Sequence, residues 1–131
     1  MSLSNITLQV DDDNAMFHRV TAYGEEGYVV VDGKRFTHSL ILTLNTVMAW
    51  PPRTFDDVTS EHVVLLMEFS PEVVLFGSGE KQRFPPAAVF RACYEKGIGV
   101  EIMNTAAACR TYNLLAGEGR AVAAALLMPS V

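Results

Sequence analysis

Between residues 71 and 128, three short apolar runs alternate with two helix-like stretches, and glycine or proline stands at the joints. The runs are Val73–Phe76, Ile98–Met103 and Ala121–Met128. The first ends at Gly77-Ser78-Gly79. Pro85-Pro86 opens a helix that runs to Lys96, and Gly97 stops it, because proline suits a first turn and glycine the left-handed residue just past a last one. Asn104-Thr105 offers two capping residues to a helix over Ala106–Ala116, which Gly117 closes. Val73–Phe76 is a short uninterrupted apolar run, as a strand covered on both faces requires, and Ile98–Met103 reads as a second short strand. Strand–helix–strand–helix–strand at this spacing demands parallel pairing with right-handed crossovers.

The first half has a different rhythm. Residues 1–15 read as a polar leader ending in Asp11-Asp12-Asp13-Asn14, with one short strand over Ile6–Val10. Phe17–Tyr23 alternates loosely, Gly24-Glu25-Glu26-Gly27 is a turn, and Tyr28–Val31 is rich in β-branched residues. Asp32-Gly33 is a two-residue hairpin signal, after which Arg35–Thr43 reads as one more strand. Pro51-Pro52 is an internal corner that neither a helix nor a central strand passes. Ser60 caps a short helix over Glu61–Phe69. The expected fold is therefore α/β: a single three-layer domain over 1–131 with a mixed central sheet, an N-terminal antiparallel meander and a C-terminal βαβαβ unit. With 131 residues, 50% of them hydrophobic, such a chain builds a core without disulfide staples.

Charge and composition exclude several function classes. Ten Lys and Arg stand against 15 Asp and Glu, for a net charge of −5. The basic residues are scattered, so nucleic acid is not an expected partner. No apolar run approaches the roughly 20 residues that cross a bilayer, so the chain is not expected to be membrane-embedded. No secretory signal is visible, which implies a cytoplasmic location with Cys93 and Cys109 as buried free thiols. His18, His38 and His62 fall in three separate elements, none at metal spacing, and no metal or cofactor is expected. The third glycine of a dinucleotide fingerprint is missing, since Gln82 stands there, and no phosphate-binding loop is present.

Chemistry has one natural place to sit. In open α/β sheets ligands gather beyond the carboxyl ends of parallel strands. Here those ends are Gly77-Ser78-Gly79 and Asn104-Thr105, with Arg110 on the helix that follows. If the strands are parallel, backbone N–H groups from both tips face one region and suit an anion or a small molecule. The competing reading is a tight turn that uses glycine only for its backbone freedom. An enzyme with Ser78 or Cys109 as nucleophile is a third reading. Neither residue sits in a recognised nucleophile motif, and the expected environment has Cys109 packed inward and Arg110 paired with an acidic neighbour.

The segments Pro71–Gly79, Phe84-Pro85-Pro86 and Val100–Leu115, joined by Gly27-Tyr28, Ser39–Leu42 and Trp50, resemble one family over nearly the whole chain. It is a conserved-domain family of unknown function whose eukaryotic members include the mitochondrial complex I assembly factor 3 and an adipogenesis-associated protein. The resemblance implies a three-layer α/β fold with a mixed sheet. It also implies a non-enzymatic role in assembling a membrane-bound respiratory or other complex through a protein partner. With no mitochondrial presequence visible, the chain resembles the bacterial members. Exposed apolar residues around Trp50-Pro51-Pro52, or along the meander, are the expected contact patch, and they would serve a homo-oligomer equally.

Overall fold

The computed structural model describes residues 5–8 and 17–131. Most of the expected polar leader, including Asp11–Asp13, lies outside those residues. Strands β1 (Asn5–Thr7), β2 (Val20–Gly24), β3 (Tyr28–Val31) and β4 (Lys34–Phe36) form an antiparallel sheet in that order. Asp32 (φ 51°) and Gly33 (φ 84°) make the β3–β4 turn. Positive φ at both central residues matches the turn to the twist of the strands. A register shift between Val20 and Ala22 interrupts the alternation of β2.

Strands β5 (Leu40–Thr43), β6 (Val47–Ala49), β7 (Val73–Gly77), β8 (Gly99–Met103) and β9 (Val122–Leu126) form a second, mixed sheet. Its order is β6-β5-β9-β7-β8, with β7 parallel to both β8 and β9 and β5 antiparallel to β6 and β9. Three helices accompany it: α1 (Ser60–Val64), α2 (Arg91–Glu95) and α3 (Thr105–Gly117). The chain steps outward from β7 to β8 and then back across β7 to β9. With crossovers of one hand, α2 and α3 must fall on opposite faces of the sheet.

The core obeys that geometry. Val73 and Leu75 pack with Ala108, Cys109 and Tyr112 of α3 and with Val20 and Val29 of the meander. Val74 and Phe76 pack instead with Val63 of α1, Cys93 of α2, Phe90 and Trp50. Every residue of β7 and β9 is buried, which accounts for their unbroken apolar character. Each large side chain enclosed this way contributes about 1.5–3 kcal/mol. The mixed sheet is thus the middle of three layers, with α3 and the meander above and the shorter helices below.

The structure differs from the sequence reading in detail. Arg35–Thr43 is not one strand: β4 is an exposed edge of the first sheet, β5 is wholly buried in the second, and Thr37–Ser39 carries the chain between them. The stretch 45–50 contains a short edge strand, β6, that ends before the prolines. The helix expected over Glu61–Phe69 is α1 followed by a 3-10 turn over Leu65–Phe69, which Ser70 ends at φ 47°. Thr59, not Ser60, occupies its cap, and the Thr59 amide donates to His62 Nδ1 at 3.1 Å. The helix expected from Pro85 is a 3-10 turn, Ala87–Phe90, that becomes α2.

Candidate functional site

Parallel pairing of β7 and β8 sets Gly77 opposite Met103, so the tips Ser78-Gly79 and Asn104-Thr105 lie side by side on one rim. Their backbone groups bond to one another. Ser78 N donates to Met103 O at 2.9 Å, and Thr105 N donates to Gly79 O at 2.9 Å. The Thr105 hydroxyl accepts from Gly79 N at 2.9 Å and donates to Leu127 O at 2.7 Å. The Ser78 hydroxyl donates to Lys81 O at 2.6 Å and accepts from Arg83 N at 3.0 Å. Asn104 Oδ1 caps α3 by accepting from Ala107 N at 2.8 Å.

The glycines are required by close approach. A Cβ on Gly77 would stand 2.9 Å from Thr105 Oγ1. One on Gly79, whose φ is 102°, would stand 2.1 Å from the carbonyl oxygen of Val131. Residues 127–131 lie across the rim, and Val131 O accepts from Glu80 N at 2.7 Å. What stays open beside the loop is a cleft of about 260 Å³ bordered by Gly79, Glu80, Asn104, Tyr23 and Glu25.

Among the described residues Arg110 finds no acidic partner: its guanidinium donates to the Tyr23 hydroxyl. It belongs to a set of α3 side chains that hold the meander. Val20 N donates to Asn113 Oδ1 at 2.9 Å, and Asn113 Nδ2 returns a bond to Val20 O at 2.8 Å. The Tyr112 hydroxyl lies 2.7 Å from His18 O and 3.0 Å from Thr43 O. Burial pushes the Tyr112 phenol up, with a smaller push from Asp32. Burial also drives the Cys109 thiol up to about 12, against a smaller lowering by Arg110, so it is a protonated packing group at neutral pH. Both cysteines are free and buried. Ser78 bonds carbonyls and an amide rather than an imidazole, so no base stands beside its hydroxyl.

The histidines hold local structure. His18 Nδ1 pairs with Asp32, and His62 closes the start of α1. Among the described residues no His, Cys, Asp and Glu group is placed to hold a metal ion. Trp50 is not a surface residue. It is 3% exposed, and its indole N–H donates to His62 O at 3.1 Å. The exposed large apolar side chains lie elsewhere, at Phe84 (66%) and Leu114 (63%) and, less so, at Met48, Val64, Leu65 and Tyr94. No spacing rule points to them. The end of a helical apolar stripe past Val63 was the one available signal for Val64 and Leu65.

At the other end of the same rim a larger groove, of about 550 Å³, opens where β9 and β6 end and β5 begins. Its lining comes from separate segments of the chain, so no local motif announces it.

The chain is a three-layer α/β protein in which the Ser78, Asn104 and Thr105 side chains at this corner are tied to its own backbone. Residues 20–127 match the family described as "Protein of unknown function (DUF498/DUF598)", and the chain belongs to that family. It is 34% identical over 93% of its length to the bovine NADH dehydrogenase [ubiquinone] 1 alpha subcomplex assembly factor 3. It spans 66% of that relative's length. It is 32% identical to the "13 kDa major membrane protein" of Francisella tularensis, over 78% of this chain and 85% of that one. A solved structure from Bordetella parapertussis superposes with a TM-score of 0.81 at 38% identity, covering 86% of this chain and 96% of that one. No helix among the described residues is long and apolar enough to cross a membrane.

Proposed function

We propose that this protein is a non-enzymatic assembly factor of a bacterial cytoplasm, acting through protein contacts on a membrane-bound respiratory NADH dehydrogenase. The observation that carries the reading is the likeness to a named assembly factor across 93% of the chain. The internal commitment of Ser78, Thr105 and Cys109 supports it, because these side chains serve the fold rather than a reaction. Exposed apolar residues on α1 and α2, Val64 and Tyr94, lie on one face of the sheet and supply contact surface of the kind that partners cover. Deleting the gene in its native host and resolving membrane complexes on native gels tests the reading. The expected result is accumulation of NADH dehydrogenase subcomplexes, restored by the intact gene. Normal amounts of the full complex in the deletion strain overturn it.

A small ligand at the Gly77–Gly79 and Asn104-Thr105 rim is a second reading, favoured by the cleft of about 260 Å³ beside Gly79. Glu25 and Glu80 border that cleft, which turns it from an anion toward a neutral or cationic ligand. Amide shifts confined to Gly79, Glu80 and Asn104 on titration with a small amine are expected. Shifts absent from all three defeat it.

A further inference from the structure

We infer that the groove at the β5–β6–β9 end of the rim is a binding site for a small organic carboxylate with an apolar body. Leu40 of β5 stands in register with both Leu126 and Ala49, so the groove lies just beyond the carboxyl end of β9, the edge where α/β sheets collect ligands. Its volume of about 550 Å³ falls in the range of roughly 300–1,000 Å³ that small-molecule sites occupy.

Ser39 lines this groove and is only 4% exposed. Its carbonyl is engaged by Trp50 N at 2.9 Å and faces His38 Nδ1 at 3.1 Å, but its hydroxyl has no bond among the described residues. The other buried polar residues, Thr43, Ser78 and Thr105, each have their hydroxyl bonded within the protein. No fully enclosed side-chain N or O atom among the described residues lacks a partner, so the Ser39 hydroxyl opens onto the groove and is available to whatever fills it.

Basic side chains stand at the mouth. His38 and Arg53 are the ionisable side chains of the lining, and no Asp or Glu is among them. Arg53 makes no ion pair among the described residues, and the nearby Asp57 carboxylate is turned to the backbone amides of Arg53 and Thr54, at 3.3 and 3.2 Å. The His38 ring stands edge-on to Phe36 and its Nδ1 donates to Ser39 O, which fixes the ring at the edge of the groove. An arginine fork and a hydroxyl suit a carboxylate. The rest of the wall is apolar: Trp50, Pro51, Ala49, Met128 and Val131. The Trp50 ring is held by its N–H bond to His62 O and by edge contact with Phe76, and it is almost fully covered, so it gives the groove a rigid base. A bare inorganic anion would leave the exposed Ala49 and Pro51 wet, and an amine would meet Arg53.

Trp50 is the one tryptophan of the sequence, so its emission reports occupancy directly. The whole protein is titrated with octanoate, octanol, octylamine and inorganic phosphate. Octanoate is expected to give a saturable emission change and shifts of the Ser39, Ala49 and Met128 amides, with octanol markedly weaker and octylamine and phosphate silent. Arg53→Gln, at an exposed position, is expected to weaken octanoate at least about tenfold. Ser39→Ala is expected to weaken it several-fold without a lower melting temperature. The inference is overturned by no saturation at millimolar octanoate, by octanol or octylamine binding as well, or by unchanged affinity in Arg53→Gln.

Discussion

At the β7–β8 corner the Thr105 hydroxyl holds two partners, Gly79 N and Leu127 O. At the β5–β6–β9 end Ser39 is almost equally buried, and its hydroxyl holds none among the described residues. Both sit on one rim of one sheet. The first corner is closed because glycine lets residues 127–131 come down onto the loop, so that the amides of Ser78, Gly79, Glu80 and Thr105 all meet the protein itself. The second stays open because three strand ends and a proline corner converge without a side chain to fill the space. A glycine-rich loop after a parallel strand is thus not by itself a ligand loop. What matters is whether the chain's own backbone arrives first.

Substitutions test that contrast, and the largest effect belongs to the closed corner. Gly79→Ala forces a Cβ against Val131 O at a left-handed φ. It is expected to cost about 3 kcal/mol or more in urea unfolding; a loss below about 0.5 kcal/mol would show that the corner is not sealed. Thr105→Val keeps the shape but leaves Gly79 N and Leu127 O unpaired, and a loss of about 2 kcal/mol is expected.

The seal behind that corner also has a pH signature. Cys109 titrates near 9.0 when unfolded and at about 12 when folded. Its contribution is fully present below pH 9. Above that the unfolded chain sheds its proton first, so stability falls as pH rises toward 12. Cys109→Ala should flatten that part of the curve in thermal melts. A slope as steep in the variant as in the parent places the loss elsewhere. Smallest of all, Ser39→Ala should change unfolding stability by less than about 0.5 kcal/mol, because no bond within the protein is lost. A cost near that of Thr105→Val would mean that the two hydroxyls are alike after all.

The back half of the fold was legible because its punctuation is local: Gly97, Gly117 and Asn104 mark element ends whatever the rest of the chain does. The break at Thr37–Ser39 was not. Arg35-Phe36 and Leu40–Thr43 are each good strands, and only the second sheet's need for a fully buried partner to β9 separates them. Trp50 beside Pro51 reads as a surface feature. Its burial follows from Phe76 and His62, which come from elsewhere in the chain. The rim itself was visible in Gly77–Gly79 and Asn104-Thr105. The tail that covers it, and the groove at its other end, are made by tertiary contacts among segments distant in sequence.

The place of β9 has a consequence for how the molecule is made. It lies between β5 and β7, yet residues 122–126 follow both in the sequence. Until they are synthesised, the β5–β6 hairpin and the β7–β8 pair share no strand. A nascent chain therefore carries two apolar fragments with bare edges that cannot zip together. Completion is a late insertion across large sequence separations, the slow and aggregation-exposed kind of step. The alanines at 123–125 keep the inserting strand slim enough to enter between neighbours already covered by helices.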